Sequence, residues 1–103
     1  MNYDALIQQY RVLINGLSSA IGIINDGNEQ LKKIPLELEK GLLVNDKILD
    51  EQVFTNSLNT NNQSKDNLRT AIGSCNSSIA RLQELKRQEE ERRRAEAAAK
   101  NKE

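Results

Sequence analysis

Few residues in this chain could do covalent chemistry. Cys75 is the lone cysteine and histidine is absent from all 103 residues. A thiol–imidazole pair, a histidine-dependent triad, a cysteine-rich metal site and an internal disulfide are therefore excluded. Cys75 falls on a helical seam, where a small buried apolar side chain is the simpler reading than a reactive or intermolecular thiol. The glycines at 16, 22, 27, 41 and 73 are scattered, so no loop is built to cradle a phosphate. The carboxylates fall on helix faces expected to be solvated, which leaves no general acid–base pair. Arg92-Arg93-Arg94 is a basic run, but Glu89-Glu90-Glu91 precede it and cancel its field. With 15 basic against 15 acidic residues, nothing draws the chain electrostatically to nucleic acid or an anionic bilayer. The residues predict a non-enzymatic protein with no catalytic residue, no metal and no cofactor.

What the residue spacing does encode is helix–helix contact. Every seventh residue from Tyr3 gives Tyr3, Tyr10, Leu17, Ile24, Leu31 and Leu38. Three positions further on lie Leu6, Leu13, Ala20, Gly27, Ile34 and Gly41. Together they read as an a/d heptad seam. A third row, Ile7, Ile14 and Ile21, runs beside it at e, so the apolar stripe is wider than one neighbouring helix would cover.

The expected architecture is all-α: an antiparallel, coiled-coil-like two-helix hairpin with a charged helical C-terminal tail. The first helix is placed at 4–40, with Asp4 as its cap or first-turn acid. Asn25-Asp26-Gly27-Asn28 are poor helix formers at its weak point. Pro35 either kinks it or starts a short new helix at 36–40. A turn follows at 41–46, made unusually apolar by Leu42, Leu43 and Val44, with Asn45 or Asp46 capping a second helix at 47–85. The second seam reads Phe54, Leu58, Asn61, Lys65, Leu68, Ile72, Cys75, Ile79 and Leu82, with spacing alternating four and three. Its polar middle, Asn56 to Lys65, reads either as a loosely ordered segment or as a register device with Asn61 on the seam. From Lys86 to Glu103 the apolar seam stops. Glu89–Arg93, Glu90–Arg94 and Glu96–Lys100 have the favourable i, i+4 order of a solvated helix.

Packing three apolar rows against one interrupted seam leaves the Ile7, Ile14, Ile21 row short of cover. The partner-binding surface is therefore expected at Ile7, Ile14 and Ile21, with Tyr10, Leu17, Leu42, Leu43 and Phe54. A homodimer in isolation, or a complex of four or more helices, would bury it. The N-terminus carries no basic and apolar leader, and no run is long enough to span a bilayer. The expected location is the cytoplasm, with any secretion by a signal-peptide-independent route.

The opening Met-Asn-Tyr-Asp-Ala-Leu-Ile-Gln-Gln-Tyr, the heptads from Tyr3 to Ile24, the midpoint turn at 41–46 and the seam from Leu68 to Leu82 resemble the small helical partner proteins of LXG-domain toxins. These are relatives of the WXG-type hairpins of Gram-positive type VII secretion. The resemblance implies a targeting or chaperone-like subunit that binds the helical N-terminal domain of a secreted toxin, together with a second small helical protein in some assemblies. The chain departs from the WXG pattern in having no Trp-x-Gly at the turn. It also has no Tyr-x-x-x-Asp/Glu signal and no Phe-x-x-x-Asp variant of it, since the residue four after Tyr3 is Ile7, four after Tyr10 is Ile14 and four after Phe54 is Leu58. An export signal would then come from another subunit. The alternative is a generic coiled-coil structural or adaptor subunit that self-associates.

Overall fold

The computed structural model describes residues 2–41 and 51–101, with side chains described at 2–33 and 52–101. Two helices account for nearly all of it: α1, Tyr3–Gly41, and α2, Glu51–Asn101. They pack against each other as an antiparallel hairpin. The cross-section is 17 × 14 Å between Cα atoms, so any side chain buried here is buried by the opposite helix alone. Of the turn expected at 41–46, Gly41 is instead the last residue of α1, and 42–46, with the expected caps Asn45 and Asp46 and the apolar Leu42, Leu43 and Val44, lie outside the described residues.

The N-cap of α1 is Asn2, two residues before Asp4, the expected start of the helix. The Ala5 amide donates to Asn2 Oδ1 at 3.0 Å and the Leu6 amide to the Asn2 carbonyl at 3.3 Å. Asp4 sits in the first turn, where a carboxylate faces the positive end of the helix. α1 continues through Asn25–Asn28 and through Pro35 to Gly41. The polar middle of α2 is likewise continuous helix. Local propensity is overridden at both places because the competing asparagine side chains are engaged elsewhere.

They are engaged with one another. Asn61 Nδ2 donates to Asn28 Oδ1 at 2.9 Å, and Asn28 Nδ2 donates to Asn62 Oδ1 at 3.3 Å. Lys65 Nζ donates to Asn25 Oδ1 at 2.8 Å. Asn28 is the most buried polar residue described, at 5% exposure. The two weakest helical stretches thus meet as one polar layer. At the other end, Lys86 Nζ pairs with Asp4 Oδ1 at 2.8 Å. The pairs 28 with 62, 25 with 65 and 4 with 86 each total 90, which fixes one register along the whole hairpin.

The seam of α2 is as the spacing predicts: Phe54, Leu58, Asn61, Lys65, Leu68, Ile72, Cys75, Ile79 and Leu82 are all half-buried or buried. It then runs on through Lys86 and Glu89, whose stems are half-buried, so helix pairing extends past Leu85 and the solvated tail starts later than expected. Residues 90–101 are exposed. In this tail Glu89 pairs with Arg93 at 2.7 Å, as expected. Glu96, however, pairs with Arg92 at 3.4 Å rather than with Lys100, and no Glu90–Arg94 pair forms among the described residues. Arg87 is held between Glu84 and Glu91, which raises its pKa and lowers that of Glu84.

The seam of α1 departs from expectation. Ile7 is 6% exposed; Ile14 and Ile21 are half-buried, and so are Tyr3, Tyr10, Leu17, Ile24 and Leu31. The hairpin therefore pairs through the Tyr3 row and the Ile7 row. The Leu6 row is displaced to the flank, where Leu13 is 50% exposed. Both pairs of rows satisfy a three–four alternation, so the choice is steric. Ile7, Ile14 and Ile21 fill the interface evenly and end on Asn28, which finds its amide partners. Leu6, Leu13, Ala20 and Gly27 shrink along the helix and would leave voids.

Candidate functional site

The six sequence-predicted partner-binding residues that are described (Ile7, Tyr10, Ile14, Leu17, Ile21 and Phe54) all lie in the hairpin's own seam. The Ile7 row does not stand free. The surplus apolar surface exists, but it is carried by the neighbouring row.

The two sides of the seam are chemically unlike. On one side α1 presents Asp4, Arg11, Ser18, Asn25 and Lys32, and α2 presents Arg69, Asn76, Gln83 and Glu90, all exposed. On the other side α1 presents Leu6, Leu13, Ala20 and Gly27, and α2 presents Leu85, Ser78, Ala71 and Ser64. In the hairpin register these stand within one residue of level in pairs: Leu6 with Leu85, Leu13 with Ser78, Ala20 with Ala71, Gly27 with Ser64. Most are half-buried beside the seam. The result is an uncharged trough spanning residues 6–27 of α1, about 32 Å at the helical rise. It is leucine-lined at one end and narrows to alanine, serine and glycine at the other. Small flanking residues let a further helix approach closely, and the leucines give it an apolar anchor.

The uncharged character extends over the back of α1. From Val12 to Asn25 there is no charged residue. Val12 is 61% exposed and Ile23 72%. A Cβ added to Gly16, Gly22, Gly27 or Gly73 would meet nothing within 4 Å, so none of these glycines is required by the packing of α1 on α2.

The charged groups gather at the leucine end. Lys86 donates to Asp4, and this hydrogen bond together with the Asp4 charge raises the Lys86 pKa. The Tyr3 hydroxyl has its pKa raised by partial burial first and then by its hydrogen bond to the Glu89 carboxylate. These contacts clamp the start of α1 to α2 and set no reactive group apart. Among the described residues no three His, Cys, Asp or Glu side chains gather as a metal site, and Cys75 is buried at 6% exposure on the seam. No described helix is long and apolar enough to cross a membrane. Compared with known proteins, the chain matches no family model, no curated protein and no solved structure.

The Leu6 row was present in the sequence as a seam row. The signal that could have reassigned it was the decline in side-chain size from Leu6 to Gly27, set against the constant size of the isoleucine row.

Proposed function

We propose that this chain is a non-enzymatic helical binding partner, a targeting or chaperone-like subunit, of an LXG-type toxin exported by a Gram-positive type VII secretion system. The observation that carries the reading is the uncharged trough between Leu6–Gly27 of α1 and Ser64–Leu85 of α2. It is the face on which a toxin's helical N-terminal domain would lie, adding one or two helices to the hairpin and completing a bundle. The thinness of the hairpin core supports the same reading. Among the described residues only Ile7, Cys75 and Ile79 are buried apolar side chains. The chain's 8159 Å² of accessible surface is about 40% more than a compact monomer of its mass exposes. The polar layer around Asn28 supports a fixed docking template, because it holds the two sides of the trough in one register.

The test is co-expression with the helical N-terminal domain of an LXG toxin from the same source. The expected result is a stable complex that Leu13→Glu or Ala71→Glu dissociates while the circular dichroism of the free chain is unchanged. Charged residues are ordinary at these flanking heptad positions, so the hairpin should tolerate both. No complex, or a complex indifferent to both variants, overturns the reading. The second reading, a structural or adaptor subunit that self-associates, is favoured by the outer stripe of α1.

A further inference from the structure

Val12, Gly16, Ser19 and Ile23 lie on one outward stripe of α1, spaced four, three and four residues apart. All four are exposed, and Val12 and Ile23 are the two most exposed large apolar side chains of α1 at 61% and 72%. The order large–small–small–large reads the same in both directions, and so does the spacing. An antiparallel copy of α1, turned about a two-fold axis between Leu17 and Ser18, brings Val12 level with the second copy's Ile23 and Gly16 level with its Ser19. The small central pair permits an interaxial distance of about 8 Å, the close end of the usual range. The uncharged run from Val12 to Asn25 means that no like charges meet across the axis.

The two charges that end this run complete the match. Arg11 and Asp26 are both exposed, and neither belongs to an ion pair among the described residues. Asp26 continues the Val12–Ser19 row by one heptad, and Arg11 lies on the polar seam flank next to that row, from which its long side chain can reach toward the stripe. Under the same two-fold, Arg11 falls within two residues, about 3 Å of helical rise, of the level of the second copy's Asp26. The pair occurs twice, once on each side of the axis.

We infer that the outer stripe of α1 is a self-docking surface, on which a second copy of this chain packs antiparallel with Arg11 opposite Asp26. The order of elements across the dimer is α2, α1, α1, α2, and the trough of each hairpin remains open. The inference uses a different face from the one assigned to a toxin helix, so both can be occupied in one assembly of two hairpins and two partners.

The experiment is sedimentation equilibrium of the full chain, without any partner, across a wide concentration range. The wild type is expected to follow a monomer–dimer equilibrium. Gly16→Leu places a bulky side chain on the axis, where the hairpin itself has open space, and is expected to weaken the dimer at least tenfold. Arg11→Asp alone and Asp26→Arg alone are each expected to weaken it similarly, by setting like charges opposite each other, and the double exchange Arg11→Asp/Asp26→Arg to restore it. Circular dichroism of each variant reports whether the hairpin is intact. A wild-type monomer throughout overturns the inference. So does a dimer indifferent to Gly16→Leu, or one that the double exchange does not rescue. Toxin-domain binding, and its loss in Ala71→Glu, is read in a separate titration and tests the trough independently.

Discussion

The Asn28 side chain, at 5% exposure, accepts a hydrogen bond from Asn61 Nδ2 at 2.9 Å. The two residues are 33 positions apart and come from the least helix-prone segments of the chain. Asn28 Nδ2 in turn donates to Asn62 Oδ1, and no buried side-chain polar atom among the described residues is left without a partner. A bond of this kind adds little net stability in a solvated hairpin, but breaking half of it leaves a buried amide unpaired. Asn61→Ala, which leaves the buried Asn28 side-chain oxygen without its donor, is therefore expected to destabilise the hairpin by about 1–3 kcal/mol in chemical denaturation. Asn28→Leu with Asn61→Leu is expected to raise the denaturation midpoint and to admit other registers and oligomers, seen as several species in sedimentation. A double variant with a single sharp species would show that the asparagines do not set register.

Ile7 is buried in the hairpin's own seam, at 6% exposure. Ile7→Ala is expected to cost about 2–4 kcal/mol of stability, and Ile7→Asp to unfold the leucine end of the hairpin outright. Ile23→Asp, at 72% exposure, is expected to leave the helical content and the denaturation midpoint unchanged at concentrations where the wild type is monomeric. Equal tolerance of aspartate at 7 and 23 would contradict the seam assigned here.

Glycine substitutions separate what the hairpin needs from what its surfaces serve. Gly22→Ala and Gly73→Ala enter open space within helix interiors, where alanine is favoured by about 1 kcal/mol. Each is expected to raise stability by about that amount in thermal or urea denaturation, with no change of oligomeric state. Loss of stability in either would reveal a close approach there.

The clamp at the start of α1 should respond to alkali. Both Tyr3 and Lys86 have pKa values raised in the folded chain. A raised value means that the folded state holds the proton more tightly. The contribution of each group is therefore fully present below the ordinary values, about 10 for tyrosine and about 10.4 for lysine, and is lost as pH rises through the raised ones. In a Tyr10→Phe background, the phenolate absorbance of Tyr3 is expected to appear at higher pH than for a free tyrosine. Glu89→Gln should move it back toward the ordinary range. Amide exchange at the first turn of α1 should accelerate over the same interval. A Tyr3 titration indifferent to Glu89 would remove the clamp.

The last turns of α2 have no part of α1 beside them. Truncation after Arg93 is expected to leave hairpin stability within about 0.5 kcal/mol while reducing the total helical signal. A larger loss would mean that residues 94–101, all exposed, stabilise the hairpin by a contact outside this register.

From the sequence alone came the all-α class, two long helices, the full seam of α2 from Phe54 to Leu82 and the seat of Cys75 within it. These depend on periodicity, which is local and legible: residues spaced three and four apart share a face whatever they meet. The same periodicity was silent where two rows satisfied it equally. Tyr3 belongs to the seam with either Leu6 or Ile7 beside it, and only the opposing surface of α2 selects the isoleucines by filling space evenly. The asparagine layer was hidden for a related reason. Taken singly, Asn25, Asn28, Asn61 and Asn62 weaken their own helices, and they become a register device only when the two chain segments are level. Lys86 likewise reads as the start of a solvated tail until Asp4 is found opposite it. The tertiary structure thereby also decided which apolar row stays outside the seam, beside the α2 flank from Ser64 to Leu85, because a row is free only when another has already won the contact.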